Sequence, residues 1–322
     1  MNDPVEKAIR IGNYHDRLDD ETVIRDITRI VRIIQGIPVE EDKIRFRISK
    51  IKNYIDILKK LPPGIEQRTP AWYAARENMV TGSELQSAIE GRKQFFENKL
   101  GGPDGWNKLK DNPAIKWGVK YEPVATELYE RRNNCKVHEF GLLPHPVMPN
   151  VGASPDGITD LGIMLEIKCP FSRQITGKIK TDYATQIQMQ LDTTELYECD
   201  FLECKIEEYK SVNDFVQDTS DSDPRLTKSG KEKGVIWKTD TDHEVSPDLT
   251  TEEMVKWAEE RPGSSFWRIV IYNCVRVEKN ESFIRDLKPK IEETLKKIAI
   301  YKSDNDRFKE DFGELKEFAF IL

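Results

Sequence analysis

Ser154-Pro-Asp-Gly157, followed by Asp160-Leu-Gly162 and then Leu165-Glu-Ile-Lys-Cys-Pro170, is the stretch that decides how this chain is read. Side chains alternate between faces along a strand. In the last segment Leu165, Ile167 and Cys169 therefore fall on one face, and Glu166 and Lys168 on the other. Asp160-Leu-Gly162 reads as a turn between a short strand and its return, a hairpin that sets the Asp156 carboxylate beside Glu166. Two carboxylates converging on one point repel each other unless a cation lies between them. Hard oxygen ligands suit Mg²⁺, with Mn²⁺ as a substitute, and the backbone carbonyl of Ile167 is placed to be a further ligand. Such an ion activates water and offsets charge on a phosphate, while the neighbouring Lys168 orients that water as an ammonium or deprotonates it as a neutral amine.

Glu-x-Lys alone carries little weight, because the same spacing recurs at Glu41–Lys43, Glu203–Lys205, Glu208–Lys210 and Glu314–Lys316. Those copies read as solvated helix or strand faces. The 166–168 copy differs in lying within an apolar strand with an aspartate at hairpin distance. Upstream, Trp117, Tyr121, Val124, Ala125 and Leu128 form an apolar helical stripe, with Glu122 beside it. Glu122 is then either a third acidic ligand reaching over the sheet edge or an ordinary exposed glutamate. Pro123 cannot donate an intrahelical hydrogen bond, so it starts or kinks this helix.

Further out, composition sets limits. The chain has 322 residues, 38% of them hydrophobic and 33% charged. That is enough for one large domain, or one domain with additions. The net charge of −7 excludes a wholly basic nucleic-acid binder but allows a local basic groove. The five cysteines are scattered without a C-x-x-C pair, which argues against zinc or iron–sulfur ligation and fits reduced thiols inside a cell. The four histidines do not cluster with the carboxylates, and none is assigned to metal. No apolar run reaches the roughly 20 residues of a membrane span. The opening MNDPVEKAIRIGNY lacks a signal-peptide core. The expectation is an intracellular protein, cytoplasmic or nuclear, neither secreted nor in a membrane.

Residues 1–65 read as a helical extension. Val23, Ile24, Ile27, Ile30, Val31 and Ile34 make one amphipathic helix, and Ile44, Ile48, Ile51, Ile55 and Leu58 a second, together a hairpin. Residues 66–322 then form the main domain, with a polar insertion at about 211–250 in which Gly234–Trp237 is a short strand. Phe266–Val277 is β-branched and aromatic and reads as a strand, and 281–302 as a final amphipathic helix. This order predicts a mixed α/β (α+β) domain, a central sheet flanked by helices.

Five segments resemble the lambda-exonuclease-like (YqaJ-type) viral recombinase nucleases of the PD-(D/E)XK superfamily. They are Arg68-Thr-Pro-Ala-Trp72-Tyr-Ala-Ala-Arg76 with Thr81-Gly-Ser83, the Trp117-Gly118…Glu122 helix, Ser154–Gly157, Leu165–Pro170, and Tyr183-Ala-Thr-Gln186-Ile-Gln188. They occur in the family's order across 66–205. The resemblance implies a restriction-endonuclease-like core and a Mg²⁺-dependent 5′→3′ exonuclease on double-stranded DNA, serving viral or phage recombination, repair or replication. It implies Asp156, Glu166 and Glu122 as metal ligands and Lys168 as the catalytic lysine. Arg76, Ser83, Ser154 and Gln186 match positions near the 5′-phosphate and scissile strand. Arg76 could instead be a structural ion-pair partner and Ser83 a helix N-cap. Trp72 and Tyr73 are read as core packing. Double-stranded DNA ends, a single-strand annealing protein and a homotrimer enclosing DNA are the implied partners. A Holliday-junction-type endonuclease on the same fold and a catalytically silent DNA-binding scaffold are the alternatives. Arg173, Lys178 and Lys180, and Lys228, Lys231 and Lys233 in the insertion, either track phosphates or are simply solvated.

Overall fold

The structure, a computed structural model, describes residues 3–100, 112–239 and 242–313. The Glu314–Lys316 copy of the acid–base spacing lies outside these residues.

The extension holds three helices rather than two: α1 (Pro4–Gly12), α2 (Glu21–Gln35) and α3 (Glu41–Leu58). The helix that periodicity missed is short and set by its cap. The Asp3 carboxylate accepts from the Val5 and Glu6 amides, with Pro4 in the first turn. Val5, Ala8 and Ile9 of α1 pack with Val23, Ile27 and Val31 of α2 and Ile44, Ile48 and Ile51 of α3. Leu161, from the turn of the 154–170 hairpin, is buried in the same cluster. Beside it Gly162 has φ +71, and a Cβ there would lie 2.7 Å from the Tyr54 backbone, so only glycine fits.

The main body follows as α4 (Pro70–Glu77), β1 (Val80–Thr81), α5 (Leu85–Ile89), α6 (Lys93–Leu100) and α7 (Pro113–Asn133). Next come β2 (Val137–His138), β3 (Leu143–Pro144), β4 (Val151–Ala153), β5 (Gly157–Thr159) and β6 (Met164–Lys168). Then α8 (Thr181–Thr194), β7 (Glu198–Glu208), α9 (Val212–Gln217), β8 (Lys233–Lys238), β9 (His243–Val245), α10 (Thr251–Glu259), β10 (Ser265–Glu278), α11 (Glu281–Ser303) and α12 (Asn305–Phe312) follow. The main sheet has the order β2-β5-β6-β7-β10-β8-β9, and a small sheet the order β1-β4-β3. β5 and β6 form the expected antiparallel hairpin, whereas β6 and β7 are parallel and joined through α8.

The alternation read from sequence sorts the layers. Leu165, Ile167 and Cys169 pack with Leu202, Cys204 and Ile206 under the α7 stripe. Met164 and Phe201 pack under Ile187 and Leu191 of α8. α7 starts at Pro113, capped by Asn112, so Pro123 lies within the helix and does not begin it.

The 211–250 segment is not a polar excursion. β8 pairs with β10, Trp267 opposite Gly234 and Ser265 opposite Ile236, and so extends the main sheet. Lys233 is buried, its ammonium donating to the Phe215 and Asp218 carbonyls at 2.9 and 3.0 Å and to the Thr219 hydroxyl at 2.8 Å. It therefore does not belong to a phosphate-tracking row with Lys228 and Lys231. Among the described residues no helix is long and apolar enough to cross a membrane.

Candidate active site

The hairpin does what its pattern predicts. β5–β6 pairing ends at Gly157 opposite Leu165, leaving the Ile167 amide beyond the ladder. That amide donates to Asp156 Oδ2 at 2.6 Å, which fixes the carboxylate at the edge of β6. The N–H and C=O of one strand residue point to the same side, so the Ile167 carbonyl also faces the Asp156 side. Gly157 is required by the close approach of β2, since a Cβ there would lie 2.1 Å from Val137 Cγ1.

Glu166 is fully buried. Its Oε1 accepts from the Lys168 ammonium and from Gln186 Nε2 at 2.7 Å, and its Oε2 from Gln190 Nε2 at 2.7 Å. Gln186 and Gln190 stand one turn apart on α8, so a single helix face clamps both carboxylate oxygens. Burial alone would depress the Lys168 amine, but the Glu166 and Asp156 carboxylates hold it above its ordinary range, as an ammonium. It lies 5.3 Å from the centre of the Tyr183 ring, whose centre is 5.5 Å from the Arg173 guanidinium. Arg173 pairs at 2.6 Å with Glu203, which is opposite Lys168 in the β6–β7 register and buried. Reading Glu203–Lys205 as a solvated face was therefore wrong. The strand continues past the end of β6 under cover, and Glu203 needs Arg173 as counterion.

Glu122 comes from α7 on the other side of the sheet and pairs with Arg68 at 2.9 Å. Arg68 itself has φ +66, a left-handed backbone unusual for arginine. Burial pushes the Asp156 carboxyl well above the usual carboxylate range, and the nearby Glu166 and Glu122 push it further. Burial likewise raises Glu122, against the pull of Arg68 and Lys168. Among the described residues no three His, Cys, Asp or Glu side chains already stand in a metal-ligating cluster.

The four residues implied for DNA contact are joined to this centre. Arg76 is only 6% exposed. It donates to Ser83 Oγ at 3.2 Å and lies over the Trp72 ring at 4.3 Å. The Trp72 indole N–H donates to Ser154 Oγ at 3.2 Å. Gln190, which holds Glu166, also donates to the Ser154 carbonyl at 3.3 Å. One continuous polar path thus runs from Ser83 and Arg76 through Trp72, Ser154 and Gln190 to Glu166. Two of its links were missed in the sequence. Trp72 is half-buried rather than core, as is Tyr73. Gln190 was signalled only by its four-residue spacing from Gln186. Ser83 is not the cap either; Thr81 forms the capping box with Glu84. Glu84 also meets Lys99 at 3.0 Å and Arg76 at 3.8 Å, so two buried cations share one carboxylate.

The mixed sheet thus brings Asp156, Glu166 and Lys168 together at the end of β6, with Glu122 reaching in from α7. Residues 71–197 match the YqaJ-like viral recombinase domain, the family resemblance read from the sequence motifs. The chain is 28% identical over 307 residues to the uncharacterized protein R354 of Acanthamoeba polyphaga mimivirus, covering 79% of this chain and 56% of that one. It is 25% identical over 177 residues to protein D345L of African swine fever virus, covering 44% and 49%. The chain thus spans about half the length of the curated relatives it matches. Among solved structures it is similar to an alkaline exonuclease (LHK-Exo) from Laribacter hongkongensis, with 22% identity, 76% of this chain and 99% of that one covered, and a TM-score of 0.47.

Proposed function

We propose that this chain is a divalent-metal-dependent deoxyribonuclease that degrades duplex DNA from its ends in the 5′→3′ direction, in viral or phage recombination, repair or replication. One observation carries the reading. Asp156, Glu166 and Lys168 meet at one sheet edge, with carboxylate charge there exceeding what the local cations offset.

The donor set fits a hard cation: the Asp156 and Glu166 carboxylates, the Ile167 carbonyl and Glu122 would hold Mg²⁺ or Mn²⁺. Bound there, the ion supplies positive charge against the scissile phosphate and lowers the pKa of water. The chain's own residues do the rest. Gln186 and Gln190 fix both oxygens of Glu166, and Lys168 offers an ammonium to orient the attacking water or steady a phosphate oxygen. Arg76 and Ser83 suit a terminal 5′-phosphate, and Ser154 contacts the same strand. In this reading residues 66–322 are the nuclease domain and 1–65 a helical extension fixed to it. The enzyme works inside the host cell, encloses DNA as a homotrimer and hands 3′ strands to an annealing protein.

The test uses purified protein with end-labelled linear duplex carrying a 5′-phosphate or 5′-hydroxyl, and covalently closed circles, in Mg²⁺ or EDTA. The expected result is Mg²⁺-dependent release of nucleotides from the 5′ end, fastest with the phosphate, and intact circles. Degradation of circles at the linear rate would make it an endonuclease, and cleavage in EDTA would remove the metal.

A further inference from the structure

We infer that the groove running on from the end of β6 is a nucleobase-stacking site, with Phe171 and Trp117 as its platform. It takes the base of the unpaired nucleotide next to the scissile phosphate. The inference rests on the nuclease reading and adds a subsite to it.

Phe171 follows Lys168 by three residues, which places it within roughly 11 Å of the catalytic strand's end. Its ring is 48% exposed, yet the backbone beneath is held. Lys205 Nζ donates to the Phe171 carbonyl at 2.7 Å and to the Pro170 carbonyl at 3.4 Å. The ring therefore projects from a fixed support. Its edge meets Trp117 at 5.3 Å, and Trp117 meets Tyr121 at 4.6 Å, so the platform is anchored in the core. Both rings line a groove of about 740 Å³ that continues along the outer half of β7 to Tyr209.

A second observation points to a ligand. The Trp117 indole N–H is buried and has no acceptor among the described residues. A buried donor without a partner costs free energy, and a base carbonyl or ring nitrogen would satisfy it. The groove carries no surplus of positive charge for a phosphate, since Glu207, Glu208, Asp214 and Asp218 balance Lys205, Lys210, Lys228 and Arg268 along it. Of these acids, Glu208 is paired with Lys120 at 2.6 Å and the Tyr121 hydroxyl at 2.5 Å, Glu207 with Arg268 at 3.0 Å, and Asp218 with the Tyr209 hydroxyl at 2.7 Å. The near end thus presents the Phe171 and Trp117 rings, and an aromatic face suits the π-face of any base and reads no sequence.

A forked duplex with 2-aminopurine at the unpaired 5′ terminus tests this, bound in Ca²⁺ so that it is not cleaved. Wild-type protein should quench the probe, Phe171→Tyr should quench it too, and Phe171→Ala should leave it bright. Replacing that nucleotide with an abasic one should weaken wild-type binding about tenfold, the scale of base–aromatic stacking, and leave Phe171→Ala binding unchanged. A merely misfolded variant would not show that pattern. Cleavage of ordinary linear duplex in Mg²⁺ is followed alongside. Equal quenching or an equal abasic penalty in wild type and Phe171→Ala overturns the stacking site, and leaves the nuclease standing if cleavage is intact. Phe171-dependent quenching by a protein that cleaves nothing would keep the site and refute the nuclease. Neither quenching nor cleavage overturns both.

Discussion

Two dense clusters of charge occupy the two ends of β6 and β7, and they are balanced in opposite ways. Where the extension meets the sheet, Glu6, Glu198 and Asp200 face Arg47 and Arg276. Arg276 pairs with Glu6 at 2.9 Å, with Asp200 at 2.6 Å and with Glu198, and Arg47 pairs with Asp3 at 2.6 Å, Glu6 at 2.5 Å and Glu198. Burial alone would raise the Glu198 carboxyl, but the Arg47 and Arg276 guanidinium groups carry it down to about 2. At the other end burial, Glu166 and Glu122 drive the Asp156 carboxyl up. Both clusters are buried, so burial does not separate them; the supply of counter-charge does. Satisfied carboxylates fasten elements together, whereas carboxylates short of positive charge await a partner from outside.

The largest effect should come from the undersupplied end. Lys168→Ala or Asp156→Asn is expected to lower the rate of duplex degradation by about 10²–10⁴-fold, with the melting temperature held or raised. Steady-state assays beside calorimetry check this, and a collapse of stability would mean that the cluster is structural after all. Arg276→Met inverts the pattern. Stripping the counter-charge from Glu198 and Asp200 should cost about 3–5 kcal/mol in denaturant unfolding, since a buried charge is left unpaired. Activity per folded molecule should be kept. The smallest effect is one of pH. Glu198 falls from an ordinary 4.5 to about 2, so the stability it adds is complete above 4.5 and fades as pH drops toward 2. The stability gap between wild type and Glu198→Gln should be constant from pH 7 to 5 and close below 4.5 in acid melts. A gap that widened in acid would contradict the depressed value.

The placement of the candidate site was legible because it is local. A period of two, a turn and an aspartate at hairpin distance suffice to place Asp156, Glu166 and Lys168, and helical periodicity set Glu122 beside the apolar stripe of α7. What stayed hidden depended on distant partners. Nothing near Glu203 announces that β7 runs past the end of β6 beneath Arg173, so it looked like any solvated Glu-x-Lys. β8 was seen as a strand, but its pairing with β10, far along the chain, could not be read from the polar turns around it. Trp72 passed for core because an indole's apolar bulk is visible in sequence and the acceptor for its N–H is not. Helix α1 was too short for periodicity, although Asp3-Pro4 signalled its start.

The contact of Leu161 and Gly162 with the helical bundle has a practical bearing on trimming this protein. Leu161 contributes to the core built by α1, α2 and α3, and the loop it leads is the bend from which the Glu166 strand returns. Deleting everything before residue 66 would bare that leucine to water and free the bend, so a shortened chain would lose the alignment of Asp156, Glu166 and Lys168 without losing one of them. A boundary that looks natural on a map of motifs runs through a shared interior.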